Sequence, residues 1–523
     1  MLDFMTETGK PVKKGRRSLL RIVFSRTMFI TIVLVLNFFY LFSVIFNLFQ
    51  FVPYLFSSMI VFTAIMELVI LNSDDDVDIK LTWSVVVAVL PLLGAFLYLF
   101  VRYDLGNRVN RKLIQNSVQA SLPFIPDEPG VMEQIQTSAP GLLPIARYLT
   151  DHAHAPAFGS TDVTYFPLGE DMLEAMFPEL EKAEKFIYLE YFLVSHGQMW
   201  DSILEILKRK AAQGVDVRFL YDGMNAYANL PYHYPAELKK LGIKCKMHAP
   251  VRPFISTHYN YRDHRKITVI DGHTAFTGGI NLEDRYINID SPYGHWKDTA
   301  IMVKGNAVRS FTLLFLQMWN ATERTPDFTP CLEKPSDPPP SDGFVIPYGY
   351  SPMDDENVGE QVYLHMINRA NDYLYIMTPY LIPDGELLNA LGFAAKRGVD
   401  VRLILPGICD HKSTQIMARS HYRKLLESGV KIYEYTPGFI HAKVFLSDDL
   451  HAVVGTINLD YRSLRHHFEC AAYLYGMSML EDIKEDFRQT QQRCQKIELE
   501  DTETYSRFSR FFAYITKFVA PLL

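Results

Sequence analysis

The stretch His264-Arg265-Lys266-Ile267-Thr268-Val269-Ile270-Asp271 decides the reading of this chain, because it returns 177 positions later as His441-Ala442-Lys443-Val444-Phe445-Leu446-Ser447-Asp448. Both copies are His-x-Lys-x-x-x-x-Asp, and each is followed by an asparagine 17 residues after its histidine, Asn281 and Asn458. The apolar runs Ile267–Ile270 and Val444–Leu446 read as strands, so a His and a Lys two apart point the same way. An imidazole beside an ammonium group, present twice, is equipment for phosphoryl chemistry without a metal. One imidazole attacks phosphorus and forms a covalent intermediate. The other protonates the leaving oxygen and then deprotonates the incoming one. Lys266 and Lys443, with the amides of Asn281 and Asn458, neutralise and orient the non-bridging oxygens.

A nucleophilic imidazole works as the neutral base in one tautomer, which calls for a carboxylate on its other nitrogen. Asp298 and Glu469 stand at matched places, 34 and 28 residues after their respective histidines. Asp271 and Asp448 complete the two catalytic sets, although their position at strand ends suits them to holding local backbone. A lone His-x-Lys on a strand is usually surface decoration. Two copies, each with the same Asp, Asn and trailing acid, reverse that reading. His295, His466 and His467 read as loop or supporting residues, and His152 and His154 as solvated linker residues.

Working outward, the rest of the chain after about residue 140 also repeats. It alternates strand and helix patterns, which indicates an α/β class. Lys185–Val194 and Asp372–Ile382 both read as buried aromatic strands. The pentapeptide Gly-Val-Asp-Val-Arg occurs at 214–218 and again at 398–402, each time with Gly ending a helix and Val-x-Val opening a strand. Leu241-Gly242-Ile243-Lys244 answers Ser428-Gly429-Val430-Lys431, and Gly278-Gly279-Ile280-Asn281 answers Gly455-Thr456-Ile457-Asn458. The order of the repeats holds while loop lengths drift, so the expectation is an internal duplication: two α/β halves related by a pseudo-two-fold axis, with histidines converging at the seam. Thr325–Gly343, with Pro338-Pro339-Pro340, has linker composition.

The front of the chain is different. Thr27–Met66 is an uncharged run of 40 residues and Leu81–Val101 one of 21. A helix needs about 20 apolar residues to cross a bilayer, which gives three candidate spans at roughly Met28–Leu48, Val52–Leu71 and Leu81–Val101. The flank Lys10, Lys13, Lys14, Arg16, Arg17, Arg21 and Arg26 predicts a cytoplasmic N-terminus. Arg102, Arg108, Arg111 and Lys112 mark the far side of the third run as cytoplasmic too. Two cytoplasmic flanks require an even number of crossings, so either one run is re-entrant or one flank breaks the rule. The net charge of −7 argues against a general nucleic-acid binder. The five scattered cysteines show neither zinc-ligand spacing nor a disulfide framework.

The duplicated motif with trailing Asn resembles the phospholipase D superfamily across roughly residues 140–480. That resemblance implies two phospholipase D-like α/β/α halves, a phosphohistidine intermediate and a site at their seam. Leu81-Thr82-Trp83, Leu90-Pro91-Leu92-Leu93-Gly94, Tyr98-Leu99-Phe100 and Arg262-Asp263-His264-Arg265-Lys266 are similar to bacterial cardiolipin synthases. What this implies is transfer of a phosphatidyl group from one phosphatidylglycerol to another with release of glycerol. It implies no cofactor, no metal and no nucleic acid. It further implies phosphatidylglycerol and anionic lipids as partners, and a multi-pass protein of the bacterial cytoplasmic membrane. By analogy His264 is the nucleophile and His441 the acid/base. Oligomeric state stays open. The expected organisation is a membrane anchor at 1–112 with two or three transmembrane helices, a first half at 140–325 and a linker at 326–343. A second half at 344–480 and a helical tail at 481–523 complete it. In that tail, Phe508, Phe511, Phe512, Ile515, Phe518 and Val519 fall at helical spacing and suit either an interfacial helix or one packed on the catalytic part. A membrane-bound phospholipase D, with water as acceptor, would use every one of these residues and is the alternative reading.

Overall fold

The computed structural model describes residues 34–39, 42, 53–103, 107–225, 229–250, 260–335, 338–354, 356–503, 505 and 507–522. The chain divides into two compact units, essentially Met1–Leu105 and Gly106–Pro521.

In the first unit, helix Pro53–Leu71 takes up the second apolar run. The run at 81–101 corrects the expectation of a single span. It is two helices, Val77–Val89 and Pro91–Arg102. Pro91 has no N–H to continue the hydrogen-bond ladder and its ring clashes with the preceding turn, and Leu90 leaves the helical region at φ −126°, ψ 72°. The chain then doubles back. The Trp83 and Tyr98 rings meet edge-on at 5.6 Å, and Asp75 and Arg102 lie 3.9 Å apart at the open end. Near the tip, a Cβ added at Gly94 would fall 2.8 Å from the Val86 carbonyl oxygen, so only glycine lets the arms approach. Each arm is about 20 Å long at 1.5 Å per residue. The hairpin and helix Pro53–Leu71 share a small core of Met66, Ile70, Trp83, Val87, Ala95 and Tyr98. Ile60, Val61, Ile65, Leu68, Leu81 and Val89 are left exposed. Among the described residues no helix is long and apolar enough to cross a membrane. The run Met28–Leu48 and the basic N-terminal flank lie outside the described residues, apart from 34–39 and 42.

The second unit carries the duplication. In the first half the strands are β1 (Thr161–Phe166), β2 (Phe186–Tyr191), β3 (Asp216–Asp222), β4 (Lys244–His248), β5 (Lys266–Ile270), β6 (Thr274–Gly278), β7 (His295–Lys297) and β8 (Ala300–Gly305). In the second they are β9 (Phe344–Tyr350), β10 (Tyr373–Met377), β11 (Leu381–Ile382), β12 (Asp400–Pro406), β13 (Lys431–Tyr435) and β14 (Gly438–Ile440). β15 (Val444–Ser447), β16 (His451–Gly455), β17 (Leu459–Asp460), β18 (Glu469–Tyr475) and β19 (Cys494–Ile497) complete it. The sheet orders are β1-β8-β6-β5-β2-β3-β4 and β9-β18-β16-β15-β10-β12-β13-β19. Strand for strand these are the same sheet, with β19 added at one edge.

Alternation along the strands explains how the halves pack. Tyr188, Val269 and Val303 of the first sheet share one core with Met377, Val444, Leu446 and Val454 of the second. The opposite faces carry Ile187, Leu189 and Ile270 on one side and Leu374, Ile376 and Phe445 on the other, where helices cover them. The two sheets therefore face a shared interior in which helices Val308–Asn320 and Leu480–Gln492 also pack, with further helices on the outer faces. Two boundaries shift from the expectation. Ile114 packs into the shared core and Ser117 Oγ donates to the Gln317 carbonyl, so helix Arg108–Ser121 belongs to the second unit. β19 pairs with β13, so the chain after 480 is still part of the second sheet up to Ile497. The strand expected at Asp372–Ile382 is two strands, β10 and the short β11, which pairs with β17.

Candidate active site

The histidines stand just before β5 and β15 rather than inside them, a correction to the strand reading of His264 and His441. What fixes them is the other half of the molecule. The His264 N–H donates to the Phe468 carbonyl at 3.0 Å, and the His441 N–H donates to the Lys297 carbonyl at 2.7 Å. Short β7 and β14 zip the halves together immediately before His441. Both rings line one cavity of about 500 Å³, together with Asn281 and Asn458.

The acids pair across the seam, not within their own halves. His264 Nδ1 meets Glu469 Oε1 at 2.9 Å and Oε2 at 3.0 Å, and His441 Nδ1 meets Asp298 Oδ2 at 2.6 Å. The matched spacing of each acid after the histidine of its own half is therefore a symmetry of sequence, with the contact exchanged in space. Each pairing leaves Nε2 as the nitrogen available to a substrate.

The two pairs differ. Glu469 also accepts from Thr456 Oγ1, and the His264 ring beside it holds the carboxyl well below the ordinary value despite burial. Burial keeps His264 below its ordinary imidazole value, against the pull of Glu469. Neutral His264 donating Nδ1–H to an ionised Glu469 satisfies both. In the other half the residue equivalent to Thr456 is Gly279, and a Cβ there would overlap the Asp298 carboxylate. Without the hydroxyl, burial pushes Asp298 up to about 6, opposed by Lys443. His441 Nδ1 is also approached by Lys443 Nζ at 2.8 Å. Burial first, then the cations Lys443, Lys266 and Arg285, hold His441 well below its ordinary value.

The lysines are fully enclosed. Lys266 Nζ donates to the His264 carbonyl at 2.7 Å, and Lys443 Nζ donates to the His441 carbonyl. Burial lowers them to about 8 and about 7 respectively. Asn281 Oδ1 accepts from Leu193 N at 2.9 Å and its Nδ2 donates to Tyr286 OH at 2.6 Å. Asn458 Oδ1 is buried with no hydrogen-bond partner among the described residues.

Asp271 and Asp448 are brought to neither histidine. Asp271 accepts from the backbone N–H groups of Glu184, Lys185 and Phe186, each at 2.7 Å. Asp448 does the same for Asn371, Asp372 and Tyr373. Both hold positive φ, 51° and 55°, at the turn after the strand. Placing them in the catalytic sets is corrected to a structural role. Among the described residues one group, His264, His467 and Glu469, brings three potential metal-ligating atoms within 4.8 Å of one another, and its carboxylate is already engaged by His264 and Thr456.

Sequence reading passed over two arginines on the cavity wall, Arg285 and Arg462. They stand four residues after Asn281 and Asn458, and the same offset of 177 that finds the histidines relates them. Tyr380, Asp410 and Thr414 also line the cavity, without such a signal.

Two like halves with a histidine from each on one cavity, each beside its own buried lysine, define a phospholipase D-like enzyme of phosphodiester chemistry. The chain belongs to the cardiolipin synthase family of that class, matching "Cardiolipin synthase, PLD-like domain" over residues 176–319 and 363–491. Residues 59–102 match the domain described as "Phospholipase_D-nuclease N-terminal". A Streptococcus mutans protein described as uncharacterised is 47% identical over 456 residues, covering 87% of this chain and 99% of that one. A cardiolipin synthase of Geobacillus kaustophilus is 35% identical over 449 residues, covering 85% and 88%. The crystal structure of phosphatidylserine synthase from Haemophilus influenzae superposes with a TM-score of 0.55 at 15% identity, covering 69% of this chain and 95% of that one, and bears on the fold alone.

Proposed function

We propose that the protein is a cardiolipin synthase, a phosphatidyltransferase that joins two phosphatidylglycerols and releases glycerol. The observation that carries this reading is the pair of acid-held histidines from opposite halves on one cavity, in a chain of this family. His264 Nε2 attacks the phosphorus of the first lipid. The bond from phosphorus to the headgroup glycerol oxygen breaks, and that oxygen takes a proton from His441. Glycerol leaves, His441 then accepts the proton of the terminal hydroxyl of a second phosphatidylglycerol, and that oxygen displaces His264 from phosphorus. Atoms balance with no further reactant.

The asymmetry of the pairs supports these roles. His264 has one defined tautomer, set by ionised Glu469, and presents a lone pair at Nε2. His441 shares Nδ1 between a carboxyl that titrates at about 6 and an ammonium that titrates at about 7, the environment of a group that moves protons. A phosphodiester anion bound among Lys266, Lys443 and Arg285 offsets the cations that depress His441 and raises its proton affinity when the acid is needed.

We further infer that the first unit sits in the bacterial cytoplasmic membrane. Its exposed apolar residues suit lipid contact. The hairpin Val77–Arg102 doubles back at Pro91, so the third apolar run enters and leaves on one side.

The test is a lipid-product assay of the purified protein in phosphatidylglycerol vesicles, wild type beside His264→Ala and His441→Ala. Cardiolipin and glycerol in equal amounts, lost in both variants, is the expected result. Phosphatidic acid alone would make the protein a phospholipase D, and loss in only one variant would contradict a shared site.

A further inference from the structure

The C-terminal helix Arg507–Val519 is built the wrong way round for a helix bathed in water. The face against the protein is small: Ala513, Thr516 and, just beyond the helix, Ala520 are buried. Three large apolar residues face outward, with Phe511 63%, Tyr514 75% and Ile515 48% exposed, while Phe512 and Phe518 are half-buried. At about 100° per residue, positions 511, 514 and 515 fall in one sector about 100° wide, opposite the buried face. A surface helix of a soluble protein turns its large apolar side chains inward. A contiguous outward stripe marks a surface that another apolar phase covers.

The end of this helix is also part of the active-site cavity. Ala520 lines the cavity that holds His264 and His441. There it forms a small separate apolar cluster with Ile382, Met417 and Tyr461, and all three of those residues line the same cavity. The rest of the lining is largely polar and cationic and includes Arg285, Asn281 and Asn458. A cavity for phosphodiester chemistry needs the cationic wall. A free sugar phosphate or a nucleic acid backbone would gain nothing from the apolar one.

We propose that the C-terminal helix docks the cavity mouth on the bilayer. Phe511, Tyr514 and Ile515 enter the interfacial layer, while Ile382, Met417, Tyr461 and Ala520 receive the first methylenes of the acyl chains as the phosphate reaches the histidines. The occupant is lipid hydrocarbon, and a second copy of the chain is the competing occupant. The helix that carries the outward stripe also brings Ala520, just past its end, to the cavity, so a helix lying on the bilayer holds the cavity mouth close to the lipid. This rests on the lipid-transferase reading above.

The experiment uses the full chain reconstituted in phosphatidylglycerol vesicles. With the photoreactive residue benzoylphenylalanine in place of Tyr514, irradiation is expected to give a lipid adduct in the mass spectrum. A cross-link to a second copy, or no adduct, overturns the proposal. In parallel, Phe511→Asp/Ile515→Asp is expected to lower kcat/KM on vesicle phosphatidylglycerol by about tenfold or more, yet to stay within about twofold of wild type on short-chain phosphatidylglycerol dissolved as monomers. Equal loss on both substrates would mean a structural role for the helix and overturns the proposal, as does no loss on vesicles. Ala520→Phe, which fills the apolar wall, is expected to raise KM for long-chain more than for short-chain lipid, and equal effects count against that wall. A wild-type protein that makes no cardiolipin would strike the transferase reading instead, while the adduct would still report the docking surface.

Discussion

Replacing Glu469 by Gln tests the exchange of acids across the seam. The substitution keeps size and removes one charge from a carboxylate that is fully buried and takes His264 Nδ1 at 2.9 and 3.0 Å. The amide offers an N–H where only acceptors stood. If that N–H donates to Nδ1, the ring proton moves to Nε2 and the attacking lone pair is gone. In serine proteases the same carboxylate-to-amide change, which leaves the imidazole in the wrong tautomer, lowers turnover about 10⁴-fold. The expected fall in kcat here is about 10² to 10⁴-fold, or about 2.7 to 5.4 kcal/mol at 1.36 kcal/mol per decade. Initial rates of cardiolipin and glycerol formation measure it. A double-mutant cycle on thermal stability separates the geometry from the chemistry. His264→Ala with Glu469→Gln is expected to show a coupling of about 1–3 kcal/mol, the range for a buried hydrogen bond to a charge, while His264→Ala with Asp298→Asn adds within about 0.5 kcal/mol. Coupling of His264 to Asp298 instead, or a Glu469→Gln protein that is folded and within about threefold of wild-type turnover, would refute the crossed pairing.

Three further outcomes follow from the same structure. The profile of kcat/KM against pH is expected to be bell-shaped: Asp298 must be ionised to orient His441, so activity falls as pH drops through about 6, and the lysines must be cationic, so it falls as pH rises through about 7 to 8. A flat profile between pH 5 and 9 would show that neither group matters in the state measured. Asp271→Ala removes three backbone hydrogen bonds of 2.7 Å and leaves alanine at φ 51°, so the melting transition is expected to lose about 2–4 kcal/mol, with turnover per folded molecule within about twofold of wild type. Cysteines placed singly at Asp75 and Arg102 in a cysteine-free background are expected to react with an impermeant thiol reagent from the same face of sealed vesicles, and reaction from opposite faces would undo the re-entrant hairpin.

Much of the second unit was legible because a duplicated gene leaves two witnesses to every element. His264 and His441, Asn281 and Asn458, and Gly214 and Gly398 could each be read against a twin, and the two sheets repeat strand for strand as that comparison implies. The same comparison at offset 177 contains Arg285 and Arg462, so their place on the cavity wall was available to it. Other features depend on distance, which order along a chain does not encode. Spacing assigns Asp298 to His264 by proximity in sequence. The fold exchanges the partners because β7 and β14 pair across the seam and carry Asp298 to His441. Pro91 was the visible mark of the broken third run, but a proline inside an apolar stretch signals equally a kinked span and a reversal. What separates them is Gly94, whose missing side chain matters only once Val86 is known to lie against it. The C-terminal helix makes the same point from the other direction. Its periodicity is plain in the sequence, yet periodicity gives two faces and not which one is covered. Ala513, Thr516 and Ala520 lie on the side packed against the protein, and Phe511, Tyr514 and Ile515 stand exposed on the other, the face proposed above as the docking surface. In a protein whose substrates are lipids, that is where sequence pattern, packing and chemistry converge on one surface.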